Sequence, residues 1–175
     1  MRPARAADAE SLARVQVASW RRVFGGIVPQ ALLAELTGDE AMGLWRDRWR
    51  EAITKPPTSR HHVLAAVASR EVVGFVSAGP ATDADRWPGT DGELYELRVA
   101  PERTGHGHGS RLLHAAADTL AQEGFHTLCT WAPVADTALR GFLESSGWAA
   151  DGARGELDVG TSVQVVRLHT TISEA

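Results

Sequence analysis

The stretch Val99 to Leu113, VAPERTGHGHGSRLL, has glycine at three alternate positions, Gly105, Gly107 and Gly109. An apolar strand-like run precedes it and a helix-like run follows. Glycine loses the most conformational freedom on folding. A cluster at such a junction therefore marks a sharp turn or a close approach of main chain to a ligand. A glycine-rich turn that opens a helix aims unpaired backbone N–H groups at one place, and the helix dipole adds partial positive charge. That arrangement holds anions, most often phosphate; the plainer alternative is a turn and nothing more. Two known phosphate loops fit poorly. A Walker A loop, G-x-x-x-x-G-K-[ST], needs a lysine that this loop lacks. The dinucleotide pattern G-x-G-x-x-G matches at Gly105 and Gly107 but meets Ser110 at its third glycine. His106 and His108 suit a solvent-facing or phosphate-side place. A zinc site needs three or four converging ligands, and no further cluster lies nearby, so no metal is expected.

The elements that must position this loop are legible from the patterning. Residues 2 to 5 form a short strand. Asp8 is placed to cap a helix through about Arg22, with Leu12, Val15 and Ser19 on one face. Pro29 opens a short helix, QALLAEL. Asp39 is placed to cap a helix over 40 to 53, whose apolar side includes Trp45 and Trp49. HVLAAVA and EVVGFVSAG read as strands joined by a tight turn at Ser69-Arg70. PATDADRWPGTDG is a polar loop. GELYELRVA, 92 to 100, is a strand that feeds the glycine loop. Gly109 to Glu123 has helical spacing, FHTLCTWAP is a strand, and Asp136 is placed to cap a helix through Ser146. Two strands, GWAADG and TSVQVVRLHT, close the chain. The order is β-α-α-α-β-β-β-α-β-α-β-β, a mixed α/β chain.

The chain has 175 residues, 43% hydrophobic and 23% charged, as expected of one globular domain over 1–175. A formal net charge of -4 gives no basic signature of nucleic-acid binding. Cys129 is the only cysteine, so no intrachain disulfide is expected and a reducing, cytoplasmic setting fits. No apolar run reaches membrane-spanning length, so no membrane partner is expected.

ELYELRVAPERTGHGHGSRLL resembles the acetyl-CoA-binding motif of the GNAT N-acetyltransferase superfamily, in which a strand ends in V-x-P and [QR]-x-x-G-x-[GA] opens a long helix. Val99, Pro101, Gly107 and Gly109 fall on that pattern. LCTWAPVADTALRGFLESSGW is similar to the family's next strand and helix, matching at Trp131, Phe142, Glu144, Gly147 and Trp148. The first 29 residues and the closing hairpin resemble small bacterial members. The resemblance implies a GNAT-like α/β fold. Its central sheet is mixed, mostly antiparallel and twisted, with about six to seven strands flanked by about four helices. It also implies acetyl-CoA as cosubstrate, with coenzyme A as product. The main chain at Leu97, Arg98 and Val99 would hold the pantetheine arm. Arg103, Thr104, Gly105, His106, Gly107, His108, Gly109 and Ser110 would hold the pyrophosphate. The acceptor would be a primary amine of a small molecule or peptide, and family members often form homodimers.

Acetyl transfer to an amine needs a base for the amine, stabilisation of the oxyanion and a place for the leaving thiolate. Glu93 and Glu96 are the candidate bases; the resemblance favours Glu93. They sit three apart, so in a regular strand they point to opposite faces unless a bulge intervenes. A solvated carboxylate or a salt bridge to Arg98 is the plainer reading for each. Tyr95 either shapes the acceptor pocket or packs in the core. Trp20 and Phe24 are candidates for the acceptor pocket. Three positions depart from the family pattern: Thr104 replaces Gln or Arg, Leu143 replaces the usual tyrosine acid, and Asp136 replaces a common Asn. Leu143 keeps an alternative open, a non-catalytic acetyl-CoA-binding module.

Overall fold

The computed structural model describes residues 1–172. Its elements are β1 (Arg2–Pro3), α1 (Ala9–Phe24), α2 (Gln30–Thr37), α3 (Asp39–Thr54), β2 (His62–Ala68), β3 (Glu71–Pro80), β4 (Asp91–Val99), α4 (His108–Gln122), β5 (Thr127–Pro133), α5 (Thr137–Ser145), β6 (Ala149–Asp158) and β7 (Ser162–Thr171). The order, five α-helices among the described residues included, is the one the patterning predicts; the resemblance implies about four. The seven strands lie in the order β1-β2-β3-β4-β5-β7-β6. All neighbours are antiparallel except β4 and β5. Among the described residues no helix is long and apolar enough to cross a membrane.

Helices cover both faces. On one face, Leu112, Leu113, Ala116 and Leu120 of α4 and Leu143 of α5 pack on Leu94, Leu97, Leu128 and Leu168. On the other, Leu12 and Val15 of α1 and Trp49 of α3 pack on Phe75. A third cluster joins the end of α1 to the β6–β7 turn through Phe24, Val28, Val159 and Val163. Two expected caps differ. Asp8 makes no cap bond to α1. Its carboxylate pairs with Arg2 at 2.6 Å and accepts from the Arg5 N–H at 2.7 Å, tying β1 to the helix entry. Gly38, not Asp39, stands at the cap of α3.

Two irregularities in β4 decide where the site residues go. First, β4 pairs with β5 only over Asp91–Glu93 and Thr127–Cys129. Beyond that register the strands separate into a wedge, and the Thr130 Oγ1 donates to the Leu94 carbonyl at 2.8 Å where they part. Second, Ser77 faces Glu96 while Ala78 faces Leu94, so Tyr95 is an extra residue, a β-bulge. The bulge cancels the alternation. Leu94 and Leu97 both enter the α4 core. Glu93 and Glu96 therefore share the opposite face, toward α1, and the regular-strand expectation of opposite faces does not hold.

Candidate functional site

The wedge opens into a cleft of about 760 Å³ bounded by β4, the glycine loop and the start of α5. Leu97, Arg98, Val99, Arg103, Thr104, Gly105, Gly107, His108, Gly109 and Ser110 line it. His106 does not. It is exposed, and its Nδ1 lies 2.9 Å from the Thr104 carbonyl. The cleft also takes residues that are not among the expected cofactor contacts: Ser19 and Arg22 of α1, the segment 135–139, and Phe142. These come from distant stretches, and only the fold brings them to the loop.

The loop has the anion-binding form. Gly105 and Gly107 have φ of +78° and +74°, the left-handed region that side chains disfavour, and Gly107 is the residue before α4. Among the described residues, none of the backbone N–H groups from Thr104 to Ser110 donates to another backbone carbonyl. They sit at the positive end of α4. The β4 edge is open in the same way. The Ala100 N–H donates to Val73 on the β3 side, so alternation turns the N–H groups of Leu97 and Val99 toward the cleft. The Val99 carbonyl on that side meets the Ser19 Oγ at 3.4 Å. A phosphate-bearing ligand with an extended amide arm fits such a cleft: phosphate on the loop, arm along the strand.

The sequence pattern of the Acetyltransferase (GNAT) family matches residues 30–148. The chain belongs to the GNAT acetyltransferase family. It is 31% identical over 131 residues to an uncharacterized N-acetyltransferase of Bacillus subtilis, YuaI, covering 75% of this chain and 69% of that protein. Its fold is shared with the PaiA N-acetyltransferase of Thermoplasma acidophilum, solved in complex with coenzyme A, at a TM-score of 0.73, 17% identity and 95% of each chain. YncA of Salmonella typhimurium, a putative acetyltransferase solved with acetyl-CoA, aligns over 99% of this chain and 94% of its own, with a TM-score of 0.66 and 17% identity. The reaction class that goes with membership is acetyl transfer from acetyl-CoA.

On the α1 face of this GNAT domain lie the candidate catalytic carboxylates. Glu93 is 6% exposed. Its Oε2 accepts from the Thr82 N–H at 2.9 Å and the Thr82 hydroxyl at 2.8 Å. Its Oε1 has no hydrogen-bond partner among the described residues. Burial pushes its pKa above the ordinary carboxylate range, against the two Thr82 bonds, which lower it. Glu96 has four donor contacts. Gln16 Nε2 reaches both oxygens at 2.9 Å, Trp20 Nε1 reaches Oε1 at 3.1 Å, and Arg98 Nε reaches Oε1 at 2.9 Å.

The other candidates divide. Trp20 reaches this face through Glu96. Phe24 does not; it is 1% exposed and packs in the cluster with Val28 and Val159, because its turn of α1 faces the β6–β7 turn. Tyr95 bends back over Gly79, donates to the Pro80 carbonyl at 2.7 Å and stacks on His61. It braces the end of β3. Leu143 is 1% exposed inside the core, and Cys129 is buried with its pKa pushed up to about 12 by burial and by Glu93.

One network went unread in the sequence. Arg167, 5% exposed on β7, donates to Asp85 at 2.6 and 2.7 Å, to Asp83 at 2.9 Å and to Asp151 at 2.7 Å. Trp131 Nε1 adds a bond to Asp83 at 2.9 Å. This pins the 81–90 loop over the sheet and so places Thr82 on Glu93. The available signal was a lone arginine inside the apolar run VQVVRLH.

Proposed function

We propose that this chain moves the acetyl group of acetyl-CoA to a primary amine of a small molecule or peptide by direct attack in a ternary complex. Acetyl-CoA supplies an activated acyl thioester. The observation that carries the reading is the wedge. The β4–β5 ladder stops at Glu93, leaving an open strand edge with free N–H groups at Leu97 and Val99, an anion loop at its outer end and a buried carboxylate at its inner end. The loop from Thr104 to Ser110 would take the pyrophosphate and the β4 edge the pantetheine amides. A free β4 N–H polarises the carbonyl as an oxyanion donor. Glu93 takes the amine proton at Oε1 while Thr82 holds Oε2. Its raised pKa brings it closer to the working pH of a general base. Leu143 has no proton to give, and Tyr95 is bonded elsewhere, so this reading gives the leaving sulfur no protein acid. A cytoplasmic setting, where Cys129 stays a thiol, fits.

Calorimetric titration with acetyl-CoA, with ATP as control, tests the cleft. An acceptor screen following thiol release, with Glu93→Gln beside the wild type, tests the chemistry. Binding of acetyl-CoA alone, and a rate lowered about 10²-fold or more by Glu93→Gln, support the proposal. Binding with a rate indifferent to Glu93→Gln would leave a coenzyme-binding module.

A further inference from the structure

Arg98 stands between two carboxylates that face different sites. Its Nε donates to Glu96 at 2.9 Å and its Nη1 to Asp136 at 3.3 Å. Its Nη2 has no hydrogen-bond partner among the described residues. Arg98 and Asp136 line the cleft, and Glu96 does not. All three side chains are largely buried, at 12%, 8% and 17% exposure. They cross the wedge where the backbone ladder has ended. Asp136 is committed on both sides, because its other oxygen accepts the Leu139 N–H at 3.1 Å to cap α5. Glu96 takes more donors but unevenly: Oε1 holds three, whereas Oε2 has only Gln16 and is its more open oxygen.

We infer that Arg98 couples the two substrate sites, and that the acceptor which exploits this coupling is a cationic amine. The inference rests on reading the cleft as the coenzyme site. A guanidinium is always charged and has donors to spare, and here one cation faces two carboxylates. While Glu96 holds Nε, the arginine is turned toward the α1 face. An ammonium that pairs with Glu96 Oε2 competes for that carboxylate and frees the guanidinium for the cleft. There its charge and open Nη2 meet the carbonyls and phosphates of the coenzyme. Coupling of this kind is reciprocal, so coenzyme that engages Arg98 leaves Glu96 a stronger site for the ammonium. Arg98 is then a positioning residue for both substrates, and Asp136, where the family pattern has a neutral Asn, keeps it at the wedge.

The test needs no knowledge of the acceptor. Coenzyme A is titrated calorimetrically into wild type, Glu96→Gln, Arg98→Met and the double variant, with thermal unfolding of each. Glu96→Gln stands in for a neutralised Glu96. It is expected to bind coenzyme A about fivefold tighter, the lower end of typical coupling. Arg98→Met is expected to bind more weakly, and Glu96→Gln to add nothing in the Arg98→Met background. A gain in affinity is a result that a damaged fold does not give. Glu96→Asp, which draws the carboxylate back by one methylene, moves the same way by less and serves if the amide variant does not fold. An unchanged or weaker affinity in a folded Glu96 variant overturns the coupling, as does the same gain with and without Arg98. Absence of coenzyme binding by wild type overturns the reading of the cleft instead.

Discussion

At the outer end of the β4–β5 wedge the site is made of main chain. Loop N–H groups, two left-handed glycines and an open strand edge lie within residues 97 to 110, although the cleft wall also draws on α1 and the start of α5. At the inner end the site is made of side chains. Glu93 is fixed by Thr82, and the loop carrying Thr82 is fixed by Arg167, far away on β7. A main-chain site tolerates changes of side chain but not of backbone conformation. A side-chain site fails when one charge is removed. The two ends should therefore respond to opposite kinds of substitution.

Arg167→Met is the largest expected break. It leaves Asp83 with the Trp131 N–H but with no cation among the described residues, while Asp151 keeps Arg86, and removing one partner of a buried ion network costs about 3–5 kcal/mol. Asp85 is 64% exposed and adds little, so the lower half of that range is expected. The measurement is thermal unfolding, with a fall in Tm on the order of 10 °C. Coenzyme affinity should barely move, because Arg167 does not line the cleft. A loss below about 1 kcal/mol would mean the strap acts as an ordinary surface pair.

This division also governs what the sequence could reveal. The order of strands and helices follows from local periodicity and was readable, as was the glycine loop, whose function depends on consecutive residues. The bulge at Tyr95 was not. Nothing in GELYELRVA marks the extra residue; it shows only in the pairing of Ser77 with Glu96 and Ala78 with Leu94. Phe24 was misplaced for a similar reason. Its neighbour Trp20 reaches the α1 face, but one turn of helix further on the chain meets the β6–β7 turn. Pairings across 80 or more residues, such as Gln16 with Glu96 or Asp83 with Arg167, leave no local trace.

Gly107→Val tests the main-chain end. The position has φ of +74°, and a Cβ there would lie 3.1 Å from Arg111 Nη1. A β-branched residue in this region costs about 1–2 kcal/mol. The loop relieves that strain by moving away from the form that offers its N–H groups. Calorimetry should show acetyl-CoA binding weakened about tenfold, while Tm falls by only a few degrees. Near-normal affinity would show that the N–H array does not carry the phosphate.

Glu93→Gln sets function against stability. Burial raises the Glu93 pKa, so the folded state binds this proton more tightly than the unfolded chain. The unfolded state then holds fewer protons over the window between the two values, and stability falls as pH rises through it. Above that window the charged carboxylate is a burden that the amide does not carry. The variant should therefore unfold at a higher Tm than wild type at pH 7, and the difference should close below pH 4, where both states of Glu93 are protonated. A variant less stable than wild type at pH 7 would mean that the Thr82 bonds outweigh burial.

Thr104→Arg should have the smallest effect. Thr104 is exposed, and its hydroxyl donates to the Pro101 carbonyl at 2.9 Å, so the side chain closes the turn and adds no charge to it. Restoring the arginine of the family pattern places one solvated cation near bound phosphates. Such a pair contributes less than about 1 kcal/mol, and salt screens it. Titration at low ionic strength should show acetyl-CoA bound about two- to fourfold tighter, with the gain gone near 0.5 M salt. A larger gain that survives salt would mean that position 104 is a working contact and that the main chain alone binds poorly. The modest, screened gain is the outcome consistent with a loop whose N–H groups already hold the anion.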